Sequence, residues 1–268
     1  MKVLALETAT SWQSVAVLEG NRVLARQDQD ASGAHGTLLL PAIDRLLMDA
    51  QLRLSDLDGL ACSAGPGSFT GIRVGLATCL GLRAATGLPL ILVPTLEAMA
   101  WGMNSSVLPM CPIVTSRKGE VYWAVFRRTG DNQLHRLLSE CVGSPAALAR
   151  SLTEHTLVFG DGWSAMQSEI RAALPASVTV SAGPLVVKPS AAAVAVLGVQ
   201  RLRRGECAGD RVEPLYVQRA EAELQYDRSG GVSPVMRRQQ RVTKKNAERL
   251  ARGHQGRPSS AQSRDEHG

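Results

Sequence analysis

The sequence contains no Cys-x-x-Cys pair, no apolar run long enough to cross a bilayer, and no Gly-Lys-Ser/Thr ending to its glycine-rich segment. Its five cysteines, Cys62, Cys79, Cys111, Cys141 and Cys207, stand far apart. That excludes a zinc knuckle or a thioredoxin-type motif and makes reduced thiols in a cytoplasmic setting the expectation. The opening MKVLAL meets Glu7 too soon for a secretory or membrane-spanning segment. The five histidines, His35, His135, His155, His254 and His267, show no ligand spacing, so no metal site is expected.

What is present is a chain of 268 residues with 44% hydrophobic content, enough for one large core or two smaller ones. The formal charge of +6 is unevenly spread. Residues 227–268 carry ten Lys and Arg against four Asp and Glu, an excess equal to the whole net charge. They contain almost no large apolar residues, so a solvated, disordered basic tail over 221–268 is expected, with a transient helix within 234–252. An RNA-binding arm is the sharper reading of the same charge. The tail lacks aromatics among its cations, which disfavours base stacking.

Upstream, the strings KVLALETA, QSVAVLE and NRVLARQ alternate or run apolar and predict a three-stranded meander turning at Gly20-Asn21. A helix with Leu39, Ile43 and Leu46 on one stripe follows; Pro41 places its start near Thr37. Strand, helix (71–86), strand and a short helix through Trp101 come next. A second βββαβα series fills residues 110–204, its last helix capped by Ser190. The order predicts a duplicated α/β fold with lobes of residues 1–103 and 104–220.

The stretch AGPGSFTGIRVGLA, residues 64–77, is the most specific motif. Its glycines could cradle phosphate at a helix N-terminus, with Glu7, Thr8, Gly65, Gly67 and Ser68 as the nucleotide-binding set. The plainer reading is a tight strand-to-helix turn that needs close backbone approach. Ser68 does not stand in a Gly-x-Ser-x-Gly elbow, because Thr70 fills the fifth place, so a hydrolase is disfavoured. His35, just before the first helix, reads as a local hydrogen-bonding residue rather than a catalytic one.

LALETATSWQSVAV, HGTLLLPAIDRLL, AGPGSFTGIRVGLATCLGL, VPTLEAMAW, RKGEVYWAVF and EPLYVQR follow one another as in the TsaB family, also called YeaZ, which residues 1–219 resemble. The resemblance implies a two-lobed actin-like ATPase fold, a ribonuclease H-like duplication. It implies a non-catalytic subunit that binds and activates TsaD in threonylcarbamoylation of the adenosine beside the anticodon of tRNAs reading codons that begin with A. Further implied partners are TsaE, tRNA through the complex, and a second copy of the chain in a homodimer. The chain would have no cofactor of its own, with ATP or ADP at the TsaD interface. The implied interface is carried by the first two helices, at Leu39, Ile43, Leu46, Ile72, Leu76 and Leu80.

Three departures bear on catalysis. The first strand ends in Glu7, one methylene longer than the aspartate such ATPases present, which loosens the positioning of a metal or water. Thr115 stands where the family pattern has an aspartate, so the acidic ligand is expected to be missing. Residues 93–102 hold no histidine where TsaD-type enzymes carry a metal-binding pair on one helical face. The rival reading is an ATP-dependent small-molecule kinase of the same fold, working through Glu7 and the glycine-rich turn.

Overall fold

The structure, a computed structural model, describes residues 1–103, 107–130, 133–182 and 187–217. The expected tail and its helix lie outside them.

The meander forms as the pattern requires. β1 (Lys2–Glu7), β2 (Trp12–Glu19) and β3 (Arg22–Asp30) pair antiparallel, with Gly20 at positive φ in the connecting turn. α1 (His35–Asp49), β4 (Gly59–Ser63), α2 (Phe69–Thr86), β5 (Leu90–Val93) and α3 (Thr95–Gly102) follow. β4 and β5 run parallel to β1, giving the order β3-β2-β1-β4-β5. Leu4 and Leu6 point to α1 and α2, while Val3 and Ala5 point to the opposite face, the alternation a strand imposes.

The second sheet repeats the plan. β6 (Met110–Thr115), β7 (Val121–Arg128) and β8 (Leu134–Gly143) form a meander, followed by α4 (Pro145–Ser151), β9 (Thr156–Phe159), α5 (Asp161–Ala173) and β10 (Val180–Ala182). The order β8-β7-β6-β9-β10 matches that of the first sheet strand for strand. Two such mixed five-stranded sheets in one chain are a duplicated, ribonuclease H-like unit, the two-lobed actin-like architecture.

α6 (Ala191–Arg203) comes after the second sheet in the chain yet packs on β1, β2 and β4 of the first. Its alanines and Gly198 allow this, since a Cβ at Gly198 would stand 2.7 Å from that of Ala61. Ser14 Oγ accepts from the N–H of Ala191 at 2.9 Å and fixes its start. An expected division at residue 104 therefore assigns to the second lobe a helix that the structure seats on the first sheet. α3 buries Ala98 against the α6 side and Leu96 and Met99 against β6 and β7, so it is shared between the two sheets.

Two helix starts differ from expectation. α1 begins at His35, which puts Pro41 in the second turn instead of the first. Pro41 withholds one N–H from the ladder there, on the exposed side of the helix. α2 begins at Phe69 rather than near Gly71, because Ser68 is the cap and its Oγ accepts from the N–H of Gly71 at 3.2 Å.

Candidate functional site

The glycine-rich turn carries β4 into α2 and is packed from below by the β1–β2 turn. Ser68 N–H donates to Ala9 O at 2.6 Å, and Thr8 Oγ1 donates to Gly71 O at 2.9 Å. A Cβ at Gly67 would lie 2.0 Å from Ala9 O, and one at Gly71 2.1 Å from Thr8 O. These glycines let two backbones touch, which matches the plainer reading of the motif. Gly71→Ala forces carbonyl and helix apart. Its expected cost is about 3 kcal/mol, at the upper end of overpacking penalties, read as a lowered midpoint in thermal denaturation. An unchanged midpoint would show that the contact is soft.

Of the five nucleotide candidates, Glu7, Thr8 and Gly65 are buried and Gly67 is half-buried, while Ser68 lines a cavity with Thr10, Thr70 and Gly71. Glu7 ends β1 on the α6 side of the sheet and has no exposed surface. Its Oε1 accepts from the N–H of Ala9 at 2.6 Å, and Oε2 has no partner. Burial pushes the carboxyl up from 4.5 to about 7, opposed by that N–H and by the nearby Ser63 hydroxyl. Ser63 Oγ meets neither oxygen in hydrogen-bonding geometry, so its influence is that of a close dipole.

β6 occupies in the second sheet the place of β1 in the first, and its end corrects the sequence reading. A carboxylate sits beside Thr115: Asp161, the first residue of α5. Thr115 Oγ1 donates to Asp161 Oδ2 at 2.6 Å, and the N–H of Gly162 donates to Oδ1 at 2.9 Å. That acid comes from a residue 46 positions later in the chain. In the following turn Arg117 and Glu120 form a two-point ion pair at 2.8 and 3.0 Å.

The expected interface also needs correction. Leu39, Ile43, Leu46, Ile72 and Leu76 are all at most 4% exposed, and they pack with Leu4, Leu6, Val15 and Val17 between the helices and the sheet. They form the core of the lobe. Leu80 alone of the six reaches the surface, at 36%. Size and periodicity alone pick out this stripe, and in a helix apolar on more than one side the largest residues turn to the sheet.

The outer face is carried by Leu80 together with residues outside the expected set. Leu40 and Met48 of α1 and Phe69 and Leu80 of α2 are exposed large apolar side chains. Exposed Ala77 and Gly81 leave room for close approach of a partner helix. Residues 205–217 run along the flank of α2, held by Arg83 on Gly209 O at 2.8 Å and by Leu215 N–H on Ala64 O at 2.8 Å. At the far end Tyr216 stacks on Phe69, whose ring also carries the Arg73 guanidinium at 3.7 Å. Among the described residues, five of the nine large exposed apolar side chains lie on α1, α2 or this segment.

The fold and this surface define the class: a two-lobed actin-like protein with an unpartnered helix pair on its first lobe. A family model described as TsaD, tRNA N6-adenosine threonylcarbamoyltransferase, matches residues 23–226. The tRNA threonylcarbamoyladenosine biosynthesis protein TsaB of Escherichia coli is 34% identical over 171 residues, which are 62% of this chain and 73% of that protein. Its namesake in Haemophilus influenzae is 29% identical over 230 residues, covering 81% and 94%. YeaZ from Pseudomonas aeruginosa superimposes with a TM-score of 0.68 at 26% identity, over 80% of this chain and 99% of that one. The chain belongs to the TsaB (YeaZ) family.

Proposed function

We infer that the chain acts in tRNA threonylcarbamoyladenosine biosynthesis as a non-catalytic subunit that docks on TsaD through the outer face of α1 and α2. The observation that carries the reading is that face, with Leu40, Met48 and Leu80 exposed around small Ala77 and Gly81. Its partner presents a matching helix pair, so that four helices bury the patch together. In the absence of TsaD a second copy of the chain covers the same face, giving a homodimer. TsaE and tRNA join through TsaD, and ATP or ADP binds at the shared interface.

The absence of chemistry of its own is supported by what the polar residues are already doing. Glu7 is buried, which pushes its carboxyl up to about 7, and exposed Asp161 accepts from Thr115 Oγ1 and the N–H of Gly162. A metal-dependent phosphoryl transfer through Glu7 needs that carboxylate ionised and accessible, and it is fully buried, so the kinase alternative working through Glu7 is the weaker one. Activation of TsaD is conformational in this account: the docked face favours one TsaD state by binding it better.

Purified chain incubated with ATP, alone and with TsaD and TsaE, tests the division of labour. Turnover is expected only in the mixture. Substantial turnover by the isolated chain would transfer the chemistry to it and sink the reading.

A further inference from the structure

A cavity of about 560 Å3 lies where α3 and α6 meet the hairpin turns of the two meanders. Asn21 reaches it from the β2–β3 turn, and Gln133, which precedes β8, from the equivalent turn of the second sheet. Lys2 pairs with Glu19 and Glu7 with Ser14, so Asn21 stands at the opposite end of β1 from Glu7, five steps of about 3.3 Å along the strand. The cavity is thus separate from the glycine-rich turn. Its volume falls within the range of roughly 300–1,000 Å3 that small-ligand pockets occupy.

The charged walls are spent on one another. Glu97 Oε1 and Oε2 accept from Arg201 at 2.7 and 2.9 Å, and Oε2 also accepts from Arg136 of β8 at 3.0 Å. The other terminal nitrogen of Arg201 donates to Leu92 O. Arg204 and Glu206 form a looser pair at 3.8 Å. Glu97 and Glu206 thus balance Arg201 and Arg204 around the cavity, which leaves it no preference for a phosphate, a carboxylate or an ammonium group.

What remains unspent is uncharged. The side-chain amides of Asn21 and Gln200 line the cavity and make no hydrogen bond among the described residues. The Trp101 indole lines it too; the guanidinium of Arg128, which is outside the cavity walls, lies over the ring at 4.9 Å and leaves the rest of the ring to the cavity. A side-chain amide holds a donor and an acceptor side by side in one plane. Its complement is the edge of a nucleobase, above all adenine, whose amino group stands beside a ring nitrogen. An indole supplies the stacking surface for such a base. Sugar hydroxyls are held best by ionised groups, and the carboxylate and guanidinium nearest the indole are already engaged.

We propose that this cavity binds an adenine base, in a free nucleoside or unstacked from an RNA strand, with the base against Trp101 and its edge read by the amides of Gln200 and Asn21. The site goes beyond the docking role and stands or falls without it.

Full-length chain with isotope-labelled indoles, titrated with adenosine and followed by NMR at the Trp101 N–H, tests the assignment; loss of that signal in Trp101→Phe identifies it. Adenosine is expected to shift it saturably, and ATP no more tightly, since the walls carry no net charge. Purine riboside, which lacks the amino group, is expected to bind at least tenfold more weakly, and glucose not at all. A single-stranded adenosine tetranucleotide that binds more tightly than adenosine assigns an RNA base, and one that binds equally or more weakly assigns a free nucleoside. Gln200→Ala is expected to lower adenosine affinity at least tenfold with the thermal midpoint kept, because Gln200 is half-buried on α6 and alanine suits a helix. Asn21→Ala, in an exposed turn, repeats the test should the first variant fold poorly. No saturable shift at Trp101 in the wild type, glucose or purine riboside binding as well as adenosine, or unchanged affinity in a folded Gln200→Ala or Asn21→Ala chain would each overturn the proposal.

Discussion

Leu76→Arg is expected to unfold the free chain, whereas Leu80→Arg is expected to leave it folded and to abolish the proposed complex with TsaD. The two residues are one helical turn apart, and the whole difference lies in the direction each faces. Leu76 is 4% exposed within the cluster formed by α1, α2 and β1. Replacing it forfeits about 2 kcal/mol of apolar burial and strands a guanidinium without a partner, which costs several kcal/mol more. That sum rivals the 5–15 kcal/mol stability of an ordinary domain. Leu80, at 36% exposure, gives up little on folding. In a complex it sits beside Ala77 and Gly81, where a partner helix would press an arginine into an apolar seam. An uncompensated charge in such a place costs about 3–5 kcal/mol, so affinity drops by at least about 100-fold. Circular dichroism on heating and a binding titration read the two effects separately. A Leu80→Arg chain that binds TsaD as tightly as the parent would remove α2 from the interface.

Glu7→Gln is expected to stabilise the chain at pH 8 by about 3 kcal/mol and to flatten its stability between pH 4.5 and 7. The sign follows from the direction of the shift. Folded, the carboxyl keeps its proton until about pH 7; unfolded, it loses it near 4.5. Between those values the native state binds more protons, so stability falls as pH rises and levels off above 7. The interval, at about 1.4 kcal/mol per unit, sets the size. Glutamine keeps the oxygen that accepts from Ala9 and offers an N–H₂ toward Ser63 Oγ, which lacks a partner. Denaturant melts across pH 4 to 9 measure this. A parent chain whose stability rises from pH 5 to 8 would mean that Glu7 is ionised and paired in solution.

Much of the fold was legible because it is written in short-range patterns. The meander follows from alternating apolar residues closed by Gly20-Asn21, and its recurrence after residue 110 announces the duplication. Ser144, Ser68 and Ser190 mark helix starts with hydroxyls that do cap, each accepting from a nearby N–H. What stayed hidden depends on distant partners. Asp161 reaches Thr115 only because β6 and β9 lie side by side, a pairing no local window contains. The placement of α6 on the first sheet is likewise a consequence of topology.

The interface residues were misjudged for a different reason. Both α1 and α2 offer apolar side chains around much of their circumference, and periodicity alone does not say which stripe meets the sheet. Leu39 and Leu40 are adjacent and chemically identical, yet one is 1% exposed and the other 57%. The glycines carried the missing information: Gly71 and Gly75 must face the Thr8 turn, which fixes the rotation of α2 and turns Leu80 outward.

The central claim is that this chain activates TsaD without performing chemistry. It is tested most directly by the rate of threonylcarbamoyladenosine formation on tRNA with TsaD and TsaE present, as the full-length chain is titrated in. The rate is expected to rise until the chain equals TsaD in concentration and then to saturate, with no product from the chain when TsaD is left out. A rate indifferent to the chain, or modified tRNA formed without TsaD, would contradict it.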